Sequence, residues 1–244
     1  MKIYSTLQIG SFHLNHCEDH QITGTIGKNK LLVAVMDGCT MGEESVFASI
    51  LLGKILKSIA RKHDYLDFKT PQQPGLKRLL KEILNEVFAE LKRIKNQLGL
   101  NTNELLTTLI LGVVDQTSCE AELVVIGDGL ICADGAYSEF EQGDKPDYLA
   151  YHLNEQFEEW YDRHSQFLSI KQFQDLSICT DGIYTFNSLG NSIKRSETAI
   201  KAFLLEDRTE TTNQHFLDAK MLTLKDEWGH VPGDDIAIVR IIQS

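Results

Sequence analysis

The 244-residue chain contains no run of ~18 consecutive apolar residues, so no membrane-spanning helix is expected. It also lacks a basic excess. Lys and Arg number 24 against 35 Asp and Glu, a formal net charge of −11, which argues against a nucleic-acid binder with a basic face. The opening Met1-Lys2-Ile3-Tyr4-Ser5 alternates polar and apolar residues and has no unbroken apolar core of the signal-peptide kind. CxxC spacing is absent, and the five cysteines (Cys17, Cys39, Cys119, Cys132, Cys179) are an odd number. They read as free thiols in a reducing compartment, and a cytoplasmic location is the expectation. Internal repeats and low-complexity tracts are absent too.

What is present is a regular alternation of patterns. Residues 2–9 alternate, with Ile3, Leu7 and Ile9 on one face of a predicted strand. A second strand is predicted at 21–26. The nearly all-apolar run 31–36 fits a central strand buried on both faces. Ala48, Leu51, Leu52, Ile55, Leu56 and Ile59 then follow helical spacing. Residues 64–74, with two prolines, read as a linker loop. The next stripe, from Leu76 to Ile94, predicts a longer helix ended by Gly99. Strands at 105–114, 121–126, 130–133 and 136–140 form an antiparallel meander, divided by turn signals such as Gly127-Asp128-Gly129. Residues 141–166 read as a polar, aromatic-dotted excursion outside the core, helical near 155–161. Strands at 167–173 and 175–179, helices at 193–205 and 210–228, and a strand at 236–242 complete the chain. Both helix pairs need a sheet to cover their apolar stripes. The whole of 1–244 therefore reads as one α+β domain, with antiparallel sheets packed together and helices outside them.

Acidic residues recur beside the apolar runs: Glu18-Asp19, Asp37-Gly38, Asp181-Gly182 and Asp234-Asp235. Carboxylates at strand ends can converge in space although distant in sequence. Ionised carboxylates in one cleft repel one another, and a divalent metal ion is the usual remedy. Each Asp-Gly taken singly is equally well an ordinary turn.

In order, Cys17-Glu18-Asp19, Val33 to Gly38, Thr107-Thr108-Leu109, Val125 to Gly129, Ser177 to Tyr184 and Gly233 to Val239 carry a family likeness. From about residue 3 to 242 the chain resembles the metal-dependent protein phosphatases of the type 2C (PPM) family. The resemblance implies a four-layer α-β-β-α sandwich, two central antiparallel sheets flanked by helix pairs. It implies two Mn²⁺ or Mg²⁺ ions, with Asp37 bridging them and the Gly38 carbonyl on one. Asp181 and Asp234 would hold the other ion, and Asp19, with Glu18 beside it, would act through metal-bound water. Asp128 would share a third, weaker ion with Asp181, and 141–166 would be the variable flap beside the cleft. Asp19, Asp37, Asp181 and Asp234 would thus be catalytic through metal-activated water. Carboxylate, carbonyl and water oxygens suit these hard ions, and a pair of them activates water for in-line attack on phosphorus. The implied reaction is hydrolysis of phosphoserine and phosphothreonine monoesters in a phosphorylated protein or peptide, by a chain expected to be monomeric.

The chain departs from the family at two places. Many members carry an Arg five residues before the first motif's Asp, and Leu14 stands there, with His13 and His16 as candidate phosphate-binding groups. Some members have His after the first Asp-Gly, where this chain has Cys39. A catalytically weak member acting as a binding module, or a phosphatase of small phosphorylated metabolites, are the alternatives. A zinc site at His13, His16, Cys17 and His20 is disfavoured, because the segment is short and no second ligand cluster accompanies it. The aromatic stretch 157–161 reads as an amphipathic lid packed on its own fold.

Overall fold

The computed structural model describes residues 1–39, 42, 45–69, 74–143, 146–190 and 195–243. Strands β1 (Lys2–Gln8), β2 (His20–Thr25) and β3 (Lys30–Met36) precede helices α1 (Ser45–Lys69) and α2 (Leu76–Leu98). Strands β4 (Leu109–Asp115), β5 (Glu120–Ile126), β6 (Gly129–Ala133) and β7 (Ala136–Phe140) form the meander, followed by helix α3 (Phe157–Arg163). Then come β8 (Phe167–Ile170), β9 (Asp175–Cys179), β10 (Phe186–Ser188), α4 (Glu197–Leu205), α5 (Phe216–Asp226), β11 (His230–Pro232) and β12 (Ile236–Ile242). One five-stranded sheet has the order β1-β12-β9-β6-β7 and the other β2-β3-β4-β5-β8. Neighbouring strands in both are antiparallel.

Strand periodicity explains how the layers stack. Successive side chains of a strand point to opposite faces. Leu32, Ala34 and Met36 of β3 pack with α1 and α2, whereas Leu31, Val33 and Val35 enter the core between the sheets. In β12, Ile236, Ile238 and Ile242 meet α4 and α5, while Ala237, Val239 and Ile241 face the other sheet. Both central strands are thus buried on two sides, and the layers run α1/α2, sheet, sheet, α4/α5. This is the four-layer sandwich.

α2 buries its Leu79, Leu80, Ile83, Leu84, Val87, Phe88 and Leu91 stripe, and Gly99 ends it in the left-handed conformation with its N–H on the Lys95 carbonyl. α1 runs further than the sequence pattern suggests, through the start of the expected 64–74 loop to Lys69. Its last turns are held from the side: Asp64 accepts from the Gly27 N–H at 3.1 Å and Asp67 from the Lys28 N–H at 2.6 Å. The remainder of that loop, 70–73, lies outside the described residues, as do 191–194 at the start of the expected 193–205 helix. α4 itself starts behind Ser196, whose hydroxyl accepts from the Ala199 N–H.

Part of the expected 141–166 excursion is anchored in the core. Tyr148, Leu149, Ala150, Leu153 and Trp160 belong to the core beneath α1 and α2, and the Trp160 ring lies 4.6 Å from that of Phe88. Large apolar and aromatic side chains set among polar neighbours supplied enough surface to dock α3 on α2.

Candidate metal centre

The strand registers bring the acidic residues to one edge. His20 pairs with Met36, so Asp19 and Asp37 lie just past the same end of the β2–β3 ladder. Leu109 pairs with Ile126, placing the turn that holds Asp128 at that end too. In the other sheet Cys179 pairs with Leu130 and Ile238, so Asp128, Asp181 and the Asp234-Asp235 doublet all lie just beyond paired strand ends.

At this edge, Asp37, Asp128 and Asp181 each present a carboxylate oxygen, and the three oxygens lie within 4.8 Å of one another. The Asp19 carboxyl is in hydrogen-bond contact with that of Asp37. The Thr180 hydroxyl, itself accepting from the Ala237 N–H, donates to Asp19 Oδ2 at 2.6 Å. Asp19 Oδ1 and Asp128 Oδ1 are buried with no hydrogen-bond partner among the described residues. Such atoms are costly unless something positive meets them.

The electrostatics agree. Burial, then the charges of Asp181 and Asp235, push the Asp19 carboxyl up to about 8 against the opposing hydrogen bonds from Thr180 and Asp37. Burial, then Asp19 and Asp181, hold Asp37 well above the usual carboxylate range. Burial, followed by Asp128 and Asp234, raises Asp181 to about 7. Asp128 is raised by burial and by Glu141. A pocket of oxygen donors that resist ionising together fits a hard dication.

The remaining predicted residues are distributed around this cluster. Gly38 is buried, its N–H donating to the Glu18 carbonyl at 3.2 Å. Glu18 is half-buried and tied down by its backbone, which also accepts the Ser49 hydroxyl at 2.6 Å. Asp234 stands at the rim, its side chain 43% exposed, with its charge felt by Asp37 and Asp181. His13 does not face open solvent as a ready cation: Nδ1 lies 2.8 Å from Asp235 and Nε2 3.8 Å from Asp234. Burial opposes its charged form, but the Asp235 hydrogen bond and the charges of Asp235, Glu18 and Asp234 outweigh it and raise its pKa. His16 is exposed, and Leu14 is 90% exposed. Cys17 has its thiol against the Gln8 carbonyl, while His20 packs on Gly53 of α1, so the two do not join a zinc-type cluster.

The roles of some residues of the site escaped sequence reasoning. Asp235 is the buried clamp of the doublet, accepting from the Gly10 N–H at 2.7 Å and from the Glu18 N–H at 2.5 Å. Thr108 accepts from the Asp37 N–H at 3.2 Å and returns its own N–H to the Asp37 carbonyl at 2.8 Å. Tyr148 lies buried beside the cluster, its hydroxyl hydrogen-bonded to Cys39. Burial first, then Cys39, Asp37 and Asp128, raises the Tyr148 pKa. Gly182 lets the Asp181 loop reach β12, since a Cβ there would lie 1.9 Å from the Asp235 carbonyl oxygen. The glycine of an Asp-Gly pair was a legible signal for this approach; nothing local marked Asp235 over Asp234.

No curated protein sequence matches the chain. Its fold recurs in solved structures. A bacterial serine phosphatase superposes with a TM-score of 0.67 at 14% identity, covering 100% of this chain and 99% of that one. The serine/threonine phosphatase Stp1 of Staphylococcus aureus gives 0.61 at 13% identity, covering 99% and 94%. The PP2C phosphatase domain structure of the cell fate determinant SpoIIE of Bacillus subtilis gives 0.58 at 14% identity, covering 99% and 63%. At such identities these likenesses concern the fold alone. The family model for protein phosphatase 2C matches residues 13–224, a span that contains the acidic residues from Asp19 to Asp181. With the sandwich and the converging carboxylates, that match makes the chain a member of the protein phosphatase 2C family.

Proposed function

We propose that this protein hydrolyses phosphoserine and phosphothreonine monoesters in phosphorylated proteins or peptides, with Mn²⁺ or Mg²⁺ held at the acidic edge. The observation that carries the reading is the meeting of Asp37, Asp128 and Asp181, from both sheets, within 4.8 Å. Asp37 and Asp181 would be the principal ligands, with Asp19, Glu18, Asp234 and the Gly38 carbonyl around them and Asp128 serving a further, weaker ion. Such ions, when bound, supply water activation and charge neutralisation at phosphorus.

The chain's own residues do the rest. Thr180 and Asp37 hold the Asp19 carboxyl in one orientation. Thr108 fixes the backbone of Asp37 from both sides. Asp235 draws Gly10, His13 and Glu18 against the start of β12 and so builds the mouth of the cleft. His13, its pKa raised by Asp235 and the neighbouring carboxylates against the opposing effect of burial, stands at the rim between Asp234 and Asp235.

The test is turnover of p-nitrophenyl phosphate and of a phosphoserine peptide with Mn²⁺, after EDTA, and in Asp37→Asn and Asp181→Asn. Turnover that needs the metal and is lost in both variants supports the proposal. Full activity of metal-free protein overturns it. Tight Mn²⁺ binding without turnover of any phosphorylated substrate favours the binding-module reading, for which the exposed Leu14 in place of a gripping cation is the motivating observation.

A further inference from the structure

A groove of about 540 Å³ lies between the end of β1, the outer side of α5 and β11. Its apolar wall is made by Ile9, Met221, Leu222, Val231 and Pro232. Ile9 and Leu222 are well exposed, Leu222 at 59%. Large apolar side chains gathered beside a concave surface mark a contact site more often than chance exposure does.

The groove and the acidic edge share their walls. Pro232 lines the groove, and Asp234 stands two residues further on, at most about 7 Å along an extended chain. Gly10 and Ser11 line it as well, and the same loop then delivers His13 to Asp234 and Asp235. The loop is not loosely held. Ser11 donates its N–H to the Pro232 carbonyl at 2.9 Å and Phe12 to the Gly233 carbonyl at 2.8 Å. Held this way, Phe12 is still 65% exposed, beside Gly233, and Leu14 points outward from the same loop. The mouth therefore offers apolar contact at Phe12 and Leu14, and the His13 imidazole beside them is engaged by Asp235.

We infer that this groove receives a bulky apolar side chain of the phosphorylated protein substrate, two to four residues from the phosphorylated residue, and so determines which sites are dephosphorylated. The occupant follows from continuity. Gly10, which lines the groove, donates its N–H to the Asp235 carboxylate at 2.7 Å, so a substrate segment that leaves the Asp37–Asp181 edge over this loop gains about 3.3–3.6 Å of reach with each extended residue. A nucleic acid or an anionic membrane is disfavoured by the net charge of −11. The inference rests on the phosphatase reading above.

The experiment compares two phosphoserine peptides, alike except for Leu or Ala three residues from the phosphoserine, on wild type, Leu222→Gln and Ile9→Gln. Both replaced residues are exposed and lie outside the acidic cluster. The Leu peptide should exceed the Ala peptide about tenfold in kcat/KM, an effect on the scale of burying one side chain, and both variants should erase the difference. Turnover of p-nitrophenyl phosphate should stay at the wild-type level in both. Equal handling of the two peptides by wild type, or variants that slow p-nitrophenyl phosphate and peptide alike, overturns the inference. A change in gel-filtration elution without a change in peptide preference also overturns it, and makes the groove a contact between copies of the chain. If p-nitrophenyl phosphate is not hydrolysed at all, the phosphatase reading falls by itself. Fluorescence anisotropy of the labelled Leu and Ala peptides with Mn²⁺ then still decides the groove: binding that distinguishes them and is lost in Leu222→Gln upholds it, and indifference refutes it.

Discussion

The Thr180 hydroxyl donates to Asp19 Oδ2 at 2.6 Å, across 161 positions of sequence. Thr180 follows β9 in one sheet, and Asp19 precedes β2 in the other, so this hydrogen bond ties the two sheets together at the acidic edge. The same hydroxyl also accepts from the Ala237 N–H at 2.8 Å. Thr180→Val keeps the shape and removes both bonds. Each hydrogen bond contributes about 0.5–1.5 kcal/mol net, so urea denaturation should show a loss of about 1–3 kcal/mol for the two. Mn²⁺ affinity, read by titration calorimetry, should weaken alongside.

The crowding of Asp19, Asp37, Asp128 and Asp181 opposes folding when no cation is present. Asp37→Asn and Asp181→Asn should therefore melt at a higher temperature than wild type in EDTA. With Mn²⁺ the order should reverse. A ligand at 100 times its dissociation constant stabilises by about 2.7 kcal/mol, and the variants should lose most of that gain. Thermal melts with MnCl₂ and with EDTA check both halves, and an unmoved wild-type melting curve would contradict the metal assignment.

His152 sits between two carboxylates, Nε2 at 2.7 Å from Asp147 and Nδ1 at 2.7 Å from Glu155. Arg163 also reaches Glu155. The Asp147 hydrogen bond, against burial and with Glu155, raises the His152 pKa above its ordinary value. A histidine raised in the fold stabilises fully below its unfolded pKa, about 6.5, and loses that contribution as pH rises through the folded value. His152→Gln should therefore lower the melting temperature more at pH 6 than at pH 8.5. A pH-independent gap between variant and wild type would refute the charged pairing.

Arg240 is fully buried under α4 and α5, bidentate on Asp175 at 2.9 and 2.7 Å and donating to the Leu204 and Asp207 carbonyls. Asp175→Ala leaves that guanidinium without its counter-charge and should cost about 3–5 kcal/mol in chemical denaturation. Asp175→Leu combined with Arg240→Met should recover much of the loss, because the pair is replaced by apolar volume.

Much of this arrangement was legible in the residues themselves. The run at β3 was readable as a strand covered on two sides because its seven residues are nearly all apolar. The α2 stripe and its Gly99 end were readable because helix spacing and a left-handed cap are local properties. The far end of α1 was not: Asp64 and Asp67 are stabilised by the β2–β3 turn, some 40 residues earlier, and no local pattern records that contact. The β10–β11 ribbon was missed because three residues are too few to show a period. Trp160 stands among acidic neighbours and Tyr148 in a short run without a clear period, and only their burial against α2 and the acidic edge gave them a place.

The order of strands and helices, and the presence of acidic residues at strand ends, were written in the chain, since side-chain period and turn chemistry act over a few residues. Which carboxylates meet was decided by tertiary structure alone. Asp128 joins Asp37 and Asp181 while Asp234 stays at the rim and Asp235 turns inward as a clamp, because register and sheet packing set distances between residues that share no local pattern.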